Sequence, residues 1–253
     1  AGCRALAECT PAFLGRDPLL LLRLSRNAEI GILTNTGLYG AAGDRYLPAY
    51  AWNESADELA ERWIREWEDG IDGTGVRPGF IKIGVDPGPL SGIDARLVRA
   101  AARTHLRTGL TIMSHTGPAE PAFAQLGLLE EEGVAPSSWI WTHAQAADDF
   151  SDHLQAADAG AWIAFDGLNR EDFPRYAEFL VRMKQRNRMG RVLLSHDAGW
   201  YSPGEEGGGD FRGYTLLFAE FLPYLRERGF TEQDLRQVMV LNPAEAFSIR
   251  SRP

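Results

Sequence analysis

Short apolar runs recur along the chain at 4–10, 29–36, 80–85, 110–114, 139–142, 160–165 and 191–195, and a helix-like stretch follows each. Alternation of this kind predicts a parallel sheet, most economically a barrel. The helix starts carry their own signals. Asp17-Pro18 opens a helix through about 28, with proline in the first turn, and Asn53 or Ser55 can cap one running to about 69. A further helix spans about 93–108, and Trp63 and Trp67 sit at helical spacing, as expected of residues packing a helix onto the sheet. The count is seven strands, whereas a closed barrel of this type has eight. The expected fold class is therefore α/β, a (β/α)8 TIM barrel with its first strand absent from this sequence. All of residues 1–253 are expected to form one domain, since nothing resembles an interdomain linker.

Four of the apolar runs, GFIKIGV, LTIMSHT, WIWTHA and RVLLSHD, hold or lead into Lys82, His115, His143 and Asp197. Strand side chains alternate between faces. Ile81, Ile83 and Val85 share one face and Lys82 takes the other; His115 shares parity with Thr111 and Met113, His143 with Trp141, and Asp197 with Leu193 and Ser195. All four are expected to point inward at the C-terminal rim, where barrels of this kind carry their chemistry. By the same rule His196 faces away. A lysine, two histidines and an aspartate converging there read as a metal site.

Composition narrows the partners. A net charge of −9 argues against nucleic acid, which calls for a basic footprint. No run approaches the ~20 apolar residues of a membrane span. No signal peptide is visible, so a cytoplasmic location is the default. Cys3 and Cys9 fit neither a disulfide framework nor a zinc pair. The patch GEEGGGD at 204–210 reads as a mobile loop.

The ordered set Lys82, His115, His143, Asp197 resembles the phosphotriesterase-like branch of the amidohydrolase superfamily. So do the local words TPAFLGRDP, IKIG, SHT, THA, FDG, SHD and LNPAEAF, which together span nearly the whole chain. The resemblance implies a (β/α)8 barrel with two divalent metal ions, usually Zn2+, with Mn2+, Co2+ or Fe2+ as alternatives. It implies that Lys82 is carboxylated by CO2 and bridges the ions, and that His115 and His143 bind one of them. Asp197 would bind the other, together with a His-x-His pair on the first strand. The five histidines, at 105, 115, 143, 153 and 196, contain no such pair. The segment after His143, HAQAADD, also departs from the acidic residues frequent there in the family.

The activity implied is hydrolysis of a lactone, carboxylic ester or phosphotriester by a metal-bound hydroxide, with Asp197 as the catalytic base. Lactonase or esterase activity is favoured. Acyl lactones, sugar lactones and phosphorylated lactones remain open, as does a homodimer. Tyr39 resembles the position where lactonase members place a tyrosine beside the metals; it could equally be a loop aromatic covering the rim. Asp166 is a substrate contact, a supporting residue for the site or a structural turn residue. Trp200 and Tyr201 are expected to line the pocket, and Arg212 is either an anion contact or a surface arginine. The alternatives to a two-metal hydrolase are a one-metal hydrolase and a catalytically inactive barrel used for binding or scaffolding.

Overall fold

The first apolar run folds as β1 (Ala5–Ala7), which pairs in parallel with β2 (Gly31–Leu33). The computed structural model describes residues 2–202 and 204–249. The single strand expected over 29–36 is broken at Thr34, and its second half is β3 (Asn35–Thr36). The break lets one segment serve two neighbours. β2 pairs back to β1, while β3 pairs forward to β4 (Phe80–Gly84). Asn35 bridges the break, its Nδ2 donating to the carbonyls of Glu8 at 3.1 Å and Thr10 at 3.0 Å. Then follow β5 (Ile112–His115), β6 (Trp139–Thr142), β7 (Trp162–Phe165) and β8 (Val192–Leu194). β3 to β8 form one six-stranded parallel sheet in chain order.

This is the (β/α) repeat of a TIM-barrel-like fold. Among the described residues no pairing joins β8 back to β1, so the wall is open where an eight-stranded barrel would close.

The helices begin where the sequence supplies caps. Asp17 accepts from Leu20 N–H at 2.9 Å to start α1 (Pro18–Ala28), and α2 (Ala49–Asn53) follows in the next loop. Ser55 with Glu58 forms a capping box on α3 (Ala56–Asp69), and Ser91 with Asp94 does the same for α4 (Gly92–Thr108). Next come α5 (Ala119–Glu131), α6 (Phe150–Ala159) and α7 (Phe173–Gln185). The C-terminal region holds α8 (Leu222–Glu227), α9 (Glu232–Arg236) and α10 (Asn242–Ala246). Among the described residues no helix is long and apolar enough to cross a membrane.

Two apolar layers result from strand alternation. Ile81, Ile83, Ile112, Trp139, Trp141, Ile163 and Phe165 belong to the large core between sheet and helices, where Trp63 is also buried. Ile140, Trp162, Ala164 and Leu193 form a smaller inner plug with Ala246, against which Met113 and Phe247 pack. α10 secures the plug from the N-terminal end of the strands. The Thr111 hydroxyl donates to Ala246 C=O at 2.5 Å, and the Phe80 and Phe247 rings meet edge-on at 5.4 Å. The strand ends above this plug are therefore floored with apolar side chains.

The GEEGGGD patch contains a hydrogen-bonded turn. Its short helical turn Glu206–Gly208 is held by Gly208 N–H on Glu205 C=O at 3.0 Å and by Ser202 N–H on Gly208 C=O at 2.8 Å. Glycine is required at 208, where φ is +83° and a Cβ would stand 2.2 Å from the Tyr201 ring.

Candidate active site

Lys82 occupies the middle of β4 and is 4 % exposed. Its neighbours Ile81 and Ile83 face the helices, so the lysine faces the interior, as alternation required. Burial pulls its ammonium below the ordinary lysine range, while Cys9, Asp166 and Asp197 act on it in the opposite sense. Among the described residues no side chain accepts a hydrogen bond from it. A buried amine of this kind is readily neutral.

His115 ends β5, paired with Gly84 one layer above Lys82. Burial first, then the charges of Lys82 and His143, hold its imidazole down at about 3. It is therefore a neutral nitrogen donor at neutral pH. The His143 ring lies edge-on to it, with centroids 4.4 Å apart.

His143 reaches this place by a different route from the one its parity suggests. Trp141 faces the helices, packed on Phe123 and donating through Nε1 to Gly117 C=O at 2.8 Å. Strict alternation would send His143 the same way. Its φ of +60° breaks the alternation and turns the ring inward. His153 on α6 braces the turn, its ring bonded through Nε2 to Ala144 C=O at 2.6 Å.

Asp166 lies beyond β7, and its carboxylate is committed to this turn. Oδ1 pairs with His143 Nδ1 and accepts from Gln145 Nε2 at 3.0 Å, and Oδ2 accepts from His143 N–H at 3.0 Å. Gln145 Oε1 accepts in return from Asp166 N–H at 3.1 Å, and the Tyr176 hydroxyl donates to Asp166 C=O. Burial would raise the carboxyl, but these bonds outweigh it and hold it below the usual range. Of the three roles open to Asp166, the structure favours support: it is 4 % exposed and its oxygens hold His143.

Asp197 follows β8 in a left-handed conformation with φ +44°. Its carboxylate charge acts on Lys82, Cys9 and Tyr39. His196 faces away, with Nε2 bonded to Tyr214 C=O at 3.0 Å. Tyr39 lies against His115 at 5.2 Å between ring centroids, where burial, then Asp197 and Asp86, push its phenol up to about 12. Gly84 makes room for that ring, since a Cβ there would stand 2.7 Å from it. Trp200 is 63 % exposed at the rim and donates through Nε1 to Asp197 C=O at 2.8 Å. Arg212 binds the same turn, Nη1 lying 3.2 Å from His196 C=O and 3.5 Å from Asp197 C=O.

Lys82, His115 and His143 thus gather on one side of the interior, with Tyr39 over His115 and Asp197 within electrostatic reach. Among the described residues no three His, Cys, Asp or Glu side chains form a group that could hold a metal ion. Sequence reasoning missed Gln145, Tyr176, His153 and Cys9. The Cys9 thiol lies 3.6 Å from Met113 Sδ, and burial raises it to about 12 despite the nearby Lys82. Its position at the end of the first strand was the available signal. The other three act on the turns around His143 and Asp166, which strand periodicity does not describe.

The chain as a whole has known relatives. Residues 1–247 match the model of the phosphotriesterase family. The chain is 31% identical over 250 residues to a phosphotriesterase homology protein of Escherichia coli, covering 97% of this chain and 84% of that one. It is 27% identical over 259 residues to an aryldialkylphosphatase of Saccharolobus solfataricus, covering 98% and 81%. Identity to the human N-acetyltaurine hydrolase is 25% over 265 residues, covering 98% and 74%. A crystal structure of the Escherichia coli phosphotriesterase homology protein, complexed with phosphate in its active site, superposes with a TM-score of 0.88 at 30% identity, covering 97% and 84%.

Proposed function

Because this chain belongs to the phosphotriesterase family, we propose that it is a metal-dependent hydrolase that cleaves a lactone or carboxylic ester in preference to a phosphotriester. The observation that carries the reading is the meeting of Lys82, His115 and His143 in the interior, with the lysine biased toward the neutral amine and His115 neutral. These are the protonation states that carboxylation and metal binding need. Asp166 on His143 Nδ1 adds the carboxylate–histidine support typical of metal-binding imidazoles, leaving Nε2 as the donor. The donor set therefore fits divalent ions, Zn2+ first among them.

Lys82, carboxylated by CO2, would hold one ion with His115 and His143, and a second with Asp197. Bound ions of this kind supply Lewis acidity to the scissile carbonyl and lower the pKa of water. The protein's own groups do the rest. Asp197 orients the attacking water and takes its proton. Tyr39, protonated throughout the working range, offers its hydroxyl as a donor to the substrate. Asp166 and Gln145 keep the His143 ring fixed. The apolar plug below excludes bulk water from beneath. The names of two relatives, an aryldialkylphosphatase and an N-acetyltaurine hydrolase, support acyl and phosphoryl groups as the electrophiles this scaffold handles.

A one-ion version of the same chemistry would use Lys82, His115 and His143, the donors that meet on one side of the interior. Elemental analysis separates the two versions by stoichiometry. The reading as a whole is tested with zinc- and manganese-loaded protein on a panel of lactones, aryl esters and phosphotriesters. Turnover that chelation abolishes and metal restores is expected, fastest on lactones or esters. Metal-loaded protein that turns over nothing in the panel would contradict it.

A further inference from the structure

A cavity of about 270 Å3 opens beside the candidate site, lined by Asn169, Trp200, Asp210 and Arg212. It abuts the turn that carries Asp197, because Trp200 and Arg212 both hydrogen-bond the carbonyl of Asp197. Its volume is at the small end for ligand pockets, enough for a small ring and too little for a long acyl chain. We propose that this cavity is the substrate-recognition subsite and that it takes a neutral polyhydroxylated ring, making the substrate a sugar lactone or sugar ester. The inference rests on the hydrolase reading above and names its substrate class.

The argument is one of matching groups. The Trp200 indole is mostly exposed, and its N–H is already spent on Asp197 C=O, so the ring face is what it offers a ligand. The negative face of an indole attracts polarised C–H bonds, which a sugar ring presents. Around it stand a carboxylate, a guanidinium and a carboxamide. Asn169 spends its amide N–H groups on Gly167 C=O at 3.2 Å and Asp172 Oδ2 at 3.5 Å, which leaves its carbonyl oxygen as an acceptor. Arg212 is fixed by main-chain carbonyls and, among the described residues, forms no ion pair with Asp210 or any other carboxylate.

Other ligand classes fit less well. An alkyl chain would strip water from Asp210, Arg212 and Asn169 without replacing its hydrogen bonds. A phosphate or sulfonate would find Arg212 but meet the carboxylate of Asp210 beside it. Hydroxyl groups donate and accept, so they can satisfy both charges at once.

The test compares D-glucono-1,5-lactone, δ-valerolactone, N-hexanoyl homoserine lactone and a phosphorylated sugar lactone on metal-loaded protein. It also measures binding of the unreactive D-gluconolactam by saturation-transfer NMR. The sugar lactone is expected to have at least tenfold the kcat/KM of δ-valerolactone. Trp200→Ala and Asn169→Ala should each lower that ratio, by about tenfold for Trp200, mainly through KM; Trp200→Phe should restore most of it. Lactam binding should weaken in the same variants. A ratio that ignores both substitutions, or a preference for the acyl or the phosphorylated lactone, would overturn the proposal. If the lactam binds through Trp200 but no lactone is hydrolysed, the subsite stands and the hydrolase reading fails. If lactones are hydrolysed but the lactam does not bind, the reverse holds.

Discussion

His143 shows how single residues set this site. Its ring is turned inward by a left-handed backbone, clasped at Nδ1 by Asp166 and braced from behind by His153. Removing the acceptor at Asp166 frees the imidazole to rotate and to change tautomer. Asp166→Asn is expected to weaken zinc affinity by about 10–100-fold, with the fold retained. Zinc titration with a competing chelator checks it, and an unchanged affinity would show that Asp166 does not orient a ligand. His153 gives a separate pH signature. Burial lowers its pKa, so the unfolded chain binds a proton that the folded state refuses. Stability is therefore expected to fall as pH drops below about 6.5 and to be flat in this respect above it. His153→Gln should flatten that fall in a series of melting temperatures against pH. An acid limb unchanged by the substitution would exclude His153 as its source.

The elements around the site are tied together by a half-buried ion pair. Arg16, in the loop between β1 and α1, makes two bonds to Glu66 on α3, at 2.7 and 2.9 Å, and a third to Asn35 C=O at 2.7 Å. The Thr36 hydroxyl donates to the same glutamate at 2.6 Å. This network holds the broken second strand against its helix. Arg16→Ala leaves Glu66 with only the Thr36 hydroxyl and takes this donor from the Asn35 carbonyl, and is expected to cost about 2 kcal/mol, read from urea unfolding. A loss below about 1 kcal/mol would mean that Asn35 alone carries the join.

The elements also show what was legible beforehand. Long periodic segments were: α1, α3 and α4 lie where apolar spacing put them, with Asp17 starting α1 and Ser55, one of the two caps offered, starting α3. The inward face of Lys82 and His115 followed from alternation. The break at Thr34 did not, because pairing with two different neighbours is a tertiary choice. Nor did the turns that place His143 and Asp197, since positive φ at a histidine or an aspartate has no hydrophobic signature. Arg212 was ambiguous because its partners are carbonyls of its own loop region.

At the scale of the whole molecule, parallel strands in chain order deliver residues from successive β–α turns to one rim, over one apolar plug. Gathering distant residues is what this architecture does well. It explains why Lys82, His115 and His143, scattered over sixty positions of sequence, lie together. It also makes the site depend on the least replaceable of them. His115 and His143 are ordinary imidazoles, but a lysine buried with no acceptor among the described residues has no structural task that an apolar residue could not perform better. The most direct measurement is therefore the zinc content of purified Lys82→Ala beside wild type, with lactone or ester hydrolysis assayed on the same samples and circular dichroism confirming the fold. Wild type is expected to hold zinc and turn over substrate, and the folded variant to lose both together. A Lys82→Ala protein that is fully metallated and active would contradict the account.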